Sequence, residues 1–167
     1  MGPAMGPDTG LDQAWHQAWH RAPKSACFGT VRSPWSSRLR PIWLYGPTIL
    51  YCVLIFALSA QPALPSTPGG DKVAHLVAYS ILGLLAVRSL FFSTRWAAWQ
   101  VVLVSTVFGC LYGLSDEIHQ SFVPGRDASG FDWLADATGA FLGSAAATSL
   151  CFMIWRDRRR FTSRLRP

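Results

Sequence analysis

Four long apolar segments, residues 42–59, 73–92, 96–114 and 131–155, constrain this chain more than any other feature. A helix needs about 20 mostly apolar residues to cross the hydrocarbon core of a bilayer, and each segment approaches or exceeds that length. Five of the Trp residues lie near segment ends, where amphipathic rings settle at the membrane interface. Only 14% of the residues are charged, so four helices of a soluble protein would lack the polar faces they need. The sequence therefore predicts an all-α fold, a bundle of four transmembrane helices.

The distribution of Lys and Arg predicts the orientation of this bundle. Thirteen of the 15 lie before the first segment, around the connection from the second to the third, or after the fourth. Only Lys72 and Arg126 lie on the opposite side. Because cytoplasmic loops carry the excess of Lys and Arg, both termini are predicted to be cytoplasmic.

The regions outside the apolar segments differ from them in composition. Residues 1–40 are rich in Gly, Pro, Ser and Arg without a sustained apolar period, which predicts a disordered basic cytoplasmic tail. Residues 41–156 form the predicted transmembrane domain, and 157–167 form a second basic cytoplasmic tail. The basic residues flank membrane segments and suit anionic lipid, so the bilayer is the expected partner and nucleic acid is not.

Polar motifs occur where three of the segments reach the predicted outer side. The candidate ligand-binding residues are Asp71, Lys72, His75, Tyr79, Asp116, Glu117, Gln120, Arg126, Asp132 and Asp136. At about 100° per residue, the polar groups of each motif fall on one helix face. Ionisable groups near hydrocarbon are costly unless they face each other or water, which predicts one outward-facing polar pocket in which Arg126 pairs with an acid. A structural ion network that caps the helix ends is the alternative, but Asp136 lies a full turn too deep for capping.

Two Gly-x-x-x-Gly patterns, Gly109/Gly113 and Gly139/Gly143, lie on the same faces as the polar motifs. Small residues let two helix backbones approach closely in lipid. The patterns predict that the third and fourth segments pack on each other through these glycines. Homodimerisation is the alternative use, so a homo-oligomer remains among the expected partners.

The segments 71–79, 116–126 and 132–143, in this order and spacing, resemble the VanZ-like family of small integral membrane proteins. The resemblance covers Leu58 to about Trp155, and the tail before Arg38 has no matching motif. One departure is Asp136, where the family pattern usually has Asn. The resemblance implies a multi-pass protein of the bacterial cytoplasmic (inner) membrane and cell envelope. It also implies a link to resistance against glycopeptide antibiotics, teicoplanin in particular, and it names no reaction.

Three functions fit these residues. The first is an envelope protein whose outward pocket binds a lipid-linked or peptide ligand. The second is an intramembrane enzyme acting on a lipid-linked or envelope substrate; the catalytic candidates are His75, Asp116, Glu117 and His119. The third is a proton-coupled small carrier with relay groups at His75 and Asp136. A divalent ion among Asp116, Asp132, Asp136 and His75 is chemically reasonable, but spacing does not select one, so the sequence predicts no metal and no cofactor.

Overall fold

The computed structural model describes residues 39–62, 70–94 and 96–164, with side chains as far as residue 153. This part of the chain forms four α-helices and no strand, which confirms the all-α prediction for it. The helices are α1 (Arg40–Ser59), α2 (Asp71–Ser93), α3 (Ala98–Gln120) and α4 (Gly130–Arg164). The predicted disordered tail, apart from its last two residues, lies outside the described residues.

The helix bounds differ from the predicted segments mainly at two ends. α3 continues to Gln120, beyond the apolar segment that ends at residue 114, which confirms that Asp116 and Gln120 lie on the third helix. α4 continues to Arg164, beyond the predicted end at residue 155. Hydropathy marks only the apolar part of a helix, and both extensions are polar in sequence. The start of α2 is set by Gly70, whose φ of 85° is accessible mainly to glycine.

The first three helices are long and apolar enough to cross a membrane, by length and composition. The protein is therefore multi-pass. Within the described residues, α4 does not meet the same criterion.

The helices alternate in direction, and α4 lies against both α2 and α3. The α2–α4 contact is the most extensive in the bundle, and the α3–α4 contact is second. α1 packs on α2, where Ile55 meets the buried side chains of Tyr79 and Leu82. It touches α3 less, and the phenol of Tyr112 donates to the Cys52 carbonyl at 2.6 Å there.

Glycines make the α2–α4 contact close. A Cβ at Gly139 would meet the Leu76 carbonyl oxygen, and one at Gly143 would meet the Ser80 carbonyl oxygen. Gly83 of α2 faces the backbone of Ala140 in return. The predicted packing of the third helix on the fourth is confirmed, but the role predicted there for Gly139 and Gly143 is wrong, because these two glycines face α2. A small-residue face permits close approach but does not determine which helix approaches it.

The other Gly-x-x-x-Gly pattern lies at the α3–α4 contact. A Cβ at Gly109 would lie 2.5 Å from the Cβ of Ala140, and one at Gly113 would lie 2.8 Å from the Cβ of Asp136. The Trp133 indole N–H donates to the Cys110 carbonyl at 3.1 Å across the same contact. The glycines of α3 thus bring Asp136 close to the α3 backbone.

Arg88 compensates for a proline inside α1. Pro47 has no N–H, so the carbonyl of Trp43, four residues earlier, lacks its helical donor. The Arg88 guanidinium donates to this carbonyl at 3.0 Å and to the Leu44 carbonyl at 3.1 Å. Its carbon also lies 4.2 Å from the centre of the Trp43 ring. These contacts join α1 to α2 at the end of the bundle opposite the polar motifs.

Candidate functional site

Polar side chains concentrate at the end of the bundle where α1 and α3 finish and α2 and α4 begin, which we call the polar end. Alternating helix direction brings the three sequence motifs together there. The buried candidate residues are His75, Tyr79, Asp116, Glu117, Gln120, Asp132 and Asp136. Asp71 and Lys72 are exposed and Arg126 is half-buried. Buried ionisable side chains need partners, and these partners define the site.

Asp116 is held between α1 and its own helix. Its Oδ2 accepts from the Ser59 hydroxyl at 2.9 Å and from the Gln120 amide at 3.1 Å. Gln120 lies one turn after Asp116, so helix geometry places the two side chains on one face. The Oδ1 atom of Asp116 is buried without a hydrogen-bond partner. Gln120 and Ser59 therefore fix the orientation of this carboxylate, and Oδ1 remains available.

His75 and Asp136 form a buried pair between α2 and α4. His75 Nδ1 lies 2.8 Å from Asp136 Oδ1, and Asp136 is fully buried. The imidazole ring also lies nearly parallel to the Tyr79 ring, with centroids 6.5 Å apart. A carboxylate that holds one ring nitrogen fixes the tautomer and the orientation of the imidazole. The pair thus leaves Nε2 of His75 for another partner.

Two further contacts join the start of α4 to its neighbours. Glu117 Oε2 accepts the backbone N–H of Ser129 at 2.7 Å, which ties the connection before α4 to α3. Lys72 Nζ lies 3.4 Å from Asp132 Oδ1, and the Lys72 side chain is 62% exposed. An ion pair with so exposed a lysine contributes little to stability. The buried Asp132 carboxylate is therefore only weakly compensated.

A tight turn places Arg126 at the polar end. The Arg126 N–H donates to the Val123 carbonyl at 3.1 Å, with Pro124 and Gly125 between them. Gly125 has φ 80°, and proline followed by a positive-φ glycine is the sequence of a type II turn. A Cβ at Gly125 would lie 3.2 Å from the Pro62 carbonyl oxygen, so the turn lies against the segment after α1.

A cleft of about 100 Å³ opens at the polar end, mainly between α1 and α2. Its polar lining consists of Ser59, Asp71, His75, Tyr79, Asp116 and Arg126. The Tyr79 hydroxyl and the Arg126 Nε are buried donors without a hydrogen-bond partner. Asp116 Oδ1 is an acceptor in the same condition. The cleft therefore offers both donors and acceptors to a small polar group.

A comparison with known protein families matches most of this chain. The VanZ/LLP1 family model matches residues 11–156, which include all four helices almost completely. The chain belongs to the VanZ/LLP1 family. Searches of curated proteins and of solved structures found no match. The predicted resemblance is confirmed, although the match begins at residue 11 and so includes most of the tail that carries no recognised motif.

In this VanZ/LLP1 protein, one predicted contact at the site is wrong. Arg126 was expected to pair with an acid, but the ion pairs within 4.0 Å in the described part of the chain are Lys72–Asp132 and His75–Asp136. Arg126 belongs to the turn beyond α3, at the mouth of the cleft, and is half-buried. The requirement for a carboxylate partner holds for an arginine at membrane depth, and this one does not lie inside a helix.

The candidate residues of the VanZ/LLP1 chain divide into two groups. Asp71, His75, Tyr79, Asp116 and Arg126 line the cleft. Lys72, Glu117, Gln120, Asp132 and Asp136 lie at the polar end without lining it. The binding role of all ten stays a prediction.

At His119 and Ser59 the structure differs from the sequence-based candidates. The His119 ring stacks on Phe56, with centroids 4.3 Å apart, and it does not line the cleft. Ser59 was not a candidate, yet it lines the cleft and donates to Asp116. A small polar residue at the end of an apolar helix was the available signal.

Proposed function

We propose that this VanZ/LLP1 protein acts in the bacterial cell envelope by binding the polar headgroup of a lipid or lipid-linked ligand in the cleft at the polar end. The observation that carries this proposal is the pair of buried, unpartnered donors in the cleft, Tyr79 and Arg126. An arginine suits a phosphate oxygen, to which it makes charge-assisted hydrogen bonds. Asp71 and Asp116 would accept from a hydroxyl or amine of the same headgroup.

The size of the cleft limits the ligand. Drug-sized ligands occupy pockets of about 300–1,000 Å³. A cleft of about 100 Å³ holds a headgroup fragment, not a whole glycopeptide antibiotic. If the protein contributes to teicoplanin-type resistance, we propose that it does so by acting on an envelope lipid and not by sequestering the drug.

The orientation is part of the same proposal. The predicted cytoplasmic termini and inner-membrane location put the polar end on the outer face, with α4 as a fourth span. Contacts along α4 support this span, since its residues from Asp136 to Ala147 lie beside α2 from His75 to Val87. A helix segment that follows a candidate span over this length lies at the same membrane depth.

Lipid binding tests the proposal directly. The protein in nanodiscs would be analysed for retained phosphatidylglycerol against phosphatidylcholine, as wild type and as Arg126→Gln. Loss of one charged hydrogen bond costs about 1.5–3 kcal/mol, so we expect retention of the anionic lipid to fall by about tenfold or more. Arg40→Gln is the matched control, because it removes an exposed arginine outside the cleft lining. Equal retention by Arg126→Gln and wild type would refute headgroup binding in the cleft.

An intramembrane enzyme is the second candidate, and the His75–Asp136 pair favours it. A buried carboxylate at one ring nitrogen leaves the other to act as a general base toward a group in the cleft. Turnover of a lipid phosphate that falls at least about 100-fold in Asp136→Asn would support this function. Lipid retention without turnover favours the binding protein. The carrier and the homo-oligomer stay predictions.

A further inference from the structure

Three side chains from three helices converge just below the cleft. His75 of α2, Glu117 of α3 and Asp136 of α4 each offer a ligand atom, and these atoms lie within 4.8 Å of one another. All three side chains are buried. We call this group the three-helix cluster. Only His75 also lines the cleft, so the cluster is a separate feature in contact with it.

The charges around the three-helix cluster do not balance. Four carboxyl side chains are buried at the polar end: Asp116, Glu117, Asp132 and Asp136. Of the lysines and arginines whose side chains the structure describes, Lys72 makes the one ion pair with them within 4.0 Å, and it is 62% exposed. An isolated buried carboxylate is so costly that it normally pairs, takes up a proton or binds a metal. The excess of acids thus calls for a further positive charge.

Unpartnered oxygens show where that charge would bind. Asp136 uses Oδ1 for His75, while its Oδ2 is buried without a hydrogen bond. Glu117 uses Oε2 for the Ser129 N–H, while its Oε1 is also buried without one. Asp136 is fully buried and Glu117 is 6% exposed, so bulk water does not satisfy these atoms. Both carboxylates belong to the cluster that His75 completes.

We propose that His75, Glu117 and Asp136 bind a divalent transition-metal cation of the Zn²⁺ or Mn²⁺ class. Imidazole nitrogen suits such cations better than Ca²⁺ or Mg²⁺, and carboxylate oxygens complete the set. Zinc binds these atoms at about 2.0–2.2 Å, so donors within 4.8 Å reach one ion after small side-chain movements. Three protein ligands leave a coordination position for a ligand oxygen from the adjoining cleft.

A second group of possible ligands, Asp71, His75 and Asp132, is less suitable. Asp71 is exposed, and Asp132 already has Lys72 at 3.4 Å. A lysine ammonium beside a ligand oxygen repels a cation. No lysine or arginine in the described part of the chain pairs with the three-helix cluster, which is the site that we propose. Its formation depends on three residues of the chain and not on the headgroup bound in the cleft.

Metal titration tests the site without any lipid ligand. The full chain would be purified in a neutral detergent, stripped with EDTA, dialysed and titrated with Zn²⁺ and then Mn²⁺ by calorimetry. We expect one equivalent to bind to the wild type, and the affinity to fall at least about tenfold in Glu117→Gln and in Asp136→Asn. Asp127→Asn is the matched control, because it removes an exposed acid from the connection between α3 and α4. It should bind as the wild type does.

Thermal unfolding separates metal loss from misfolding. Saturating Zn²⁺ should raise the unfolding midpoint of the wild type and of Asp127→Asn, because a ligand that binds only the folded state stabilises it. The variant Glu117→Gln should unfold cooperatively without this rise. The proposal is overturned if the folded wild type binds neither cation, or if a folded Glu117→Gln binds as tightly as the wild type. Arg126→Gln should keep the metal, so unchanged lipid retention in this variant would count against the headgroup proposal only.

Discussion

The close α2–α4 contact makes a specific prediction for Gly143→Ala, the smallest side chain that can be added there. The new Cβ would meet the Ser80 carbonyl oxygen and would lie 2.8 Å from the Ser80 Cα. Both are backbone atoms and cannot rotate away. α2 and α4 must therefore separate at this level. Packing contacts are then lost along the most extensive helix contact of the bundle.

The magnitude follows from two opposing terms. Overpacking of a well-packed contact costs about 1–3 kcal/mol, and backbone obstruction places this site at the upper end. Alanine in place of a helical glycine recovers about 1 kcal/mol. We expect Gly143→Ala to lower the free energy of unfolding by about 2 kcal/mol. This is a large share of a typical stability of about 5–15 kcal/mol.

Gly46→Ala is the matched control. Apart from the backbone of α1, the atom nearest to the added Cβ would be the Cγ2 of Ile42 at 3.7 Å, which is an ordinary contact distance. This variant should gain stability by up to about 1 kcal/mol. Titration of the micellar protein with a denaturing detergent, followed by circular dichroism, measures both. Unfolding of Gly143→Ala at or above the wild-type midpoint would refute the proposed α2–α4 contact.

Three further outcomes follow from the sequence and the structure. A cysteine at Ser129 should react with an impermeant thiol reagent added outside intact cells, and one at Ser163 should not; external labelling at residue 163 would overturn the orientation. Arg88→Leu should lower the unfolding free energy by about 1.5–3 kcal/mol. The loss should be clearly smaller in a Pro47→Ala background, because the backbone N–H of the new alanine can then donate to the Trp43 carbonyl in place of Arg88. Equal losses in the two backgrounds of this double-mutant cycle would contradict the role of Arg88 as the substitute donor. Tyr112→Phe should cost about 1 kcal/mol in the same denaturation, because it removes the hydrogen bond to Cys52, and no change would show that this contact contributes nothing.

The sequence predicted the helices well because apolar length is a local property. Each of the four segments lies within one helix, apart from residues 96 and 97 just before α3, and the family match confirms the kind of protein. The apolar segment ended at residue 114, but the placement of Asp116 and Gln120 on one face of the third helix already extended that helix to Gln120. The sequence did not show the partners of the Asp116 and Glu117 carboxylates, which are Ser59 and Ser129. Such partners lie far away in sequence, so hydropathy carries no sign of them.

The pairing of helices was harder to predict than their positions. Gly139 and Gly143 defined a small-residue face correctly, but a face of this kind suits α2, α3 or a second copy equally. What selects α2 is the course of its backbone, with the Leu76 and Ser80 carbonyls toward α4 and with Gly83 facing α4 in return. Gly83 lies in an apolar run without a second glycine at the expected spacing, so no pattern marked it as a contact.

Asp136 shows why packing and the site cannot be separated in this protein. Its Cβ lies against Gly113 of α3, while its carboxylate reaches His75 of α2. The glycine permits α3 to approach α4, and only this approach brings Glu117 near the pair, since it lies one turn beyond Gly113. The small residues between the helices therefore do more than hold the bundle together, because they set the distances among three ionisable side chains. A Cβ at residue 113 would lie 2.8 Å from both the Cβ and the Oδ2 of Asp136, so it would push on α4 and on the carboxylate together.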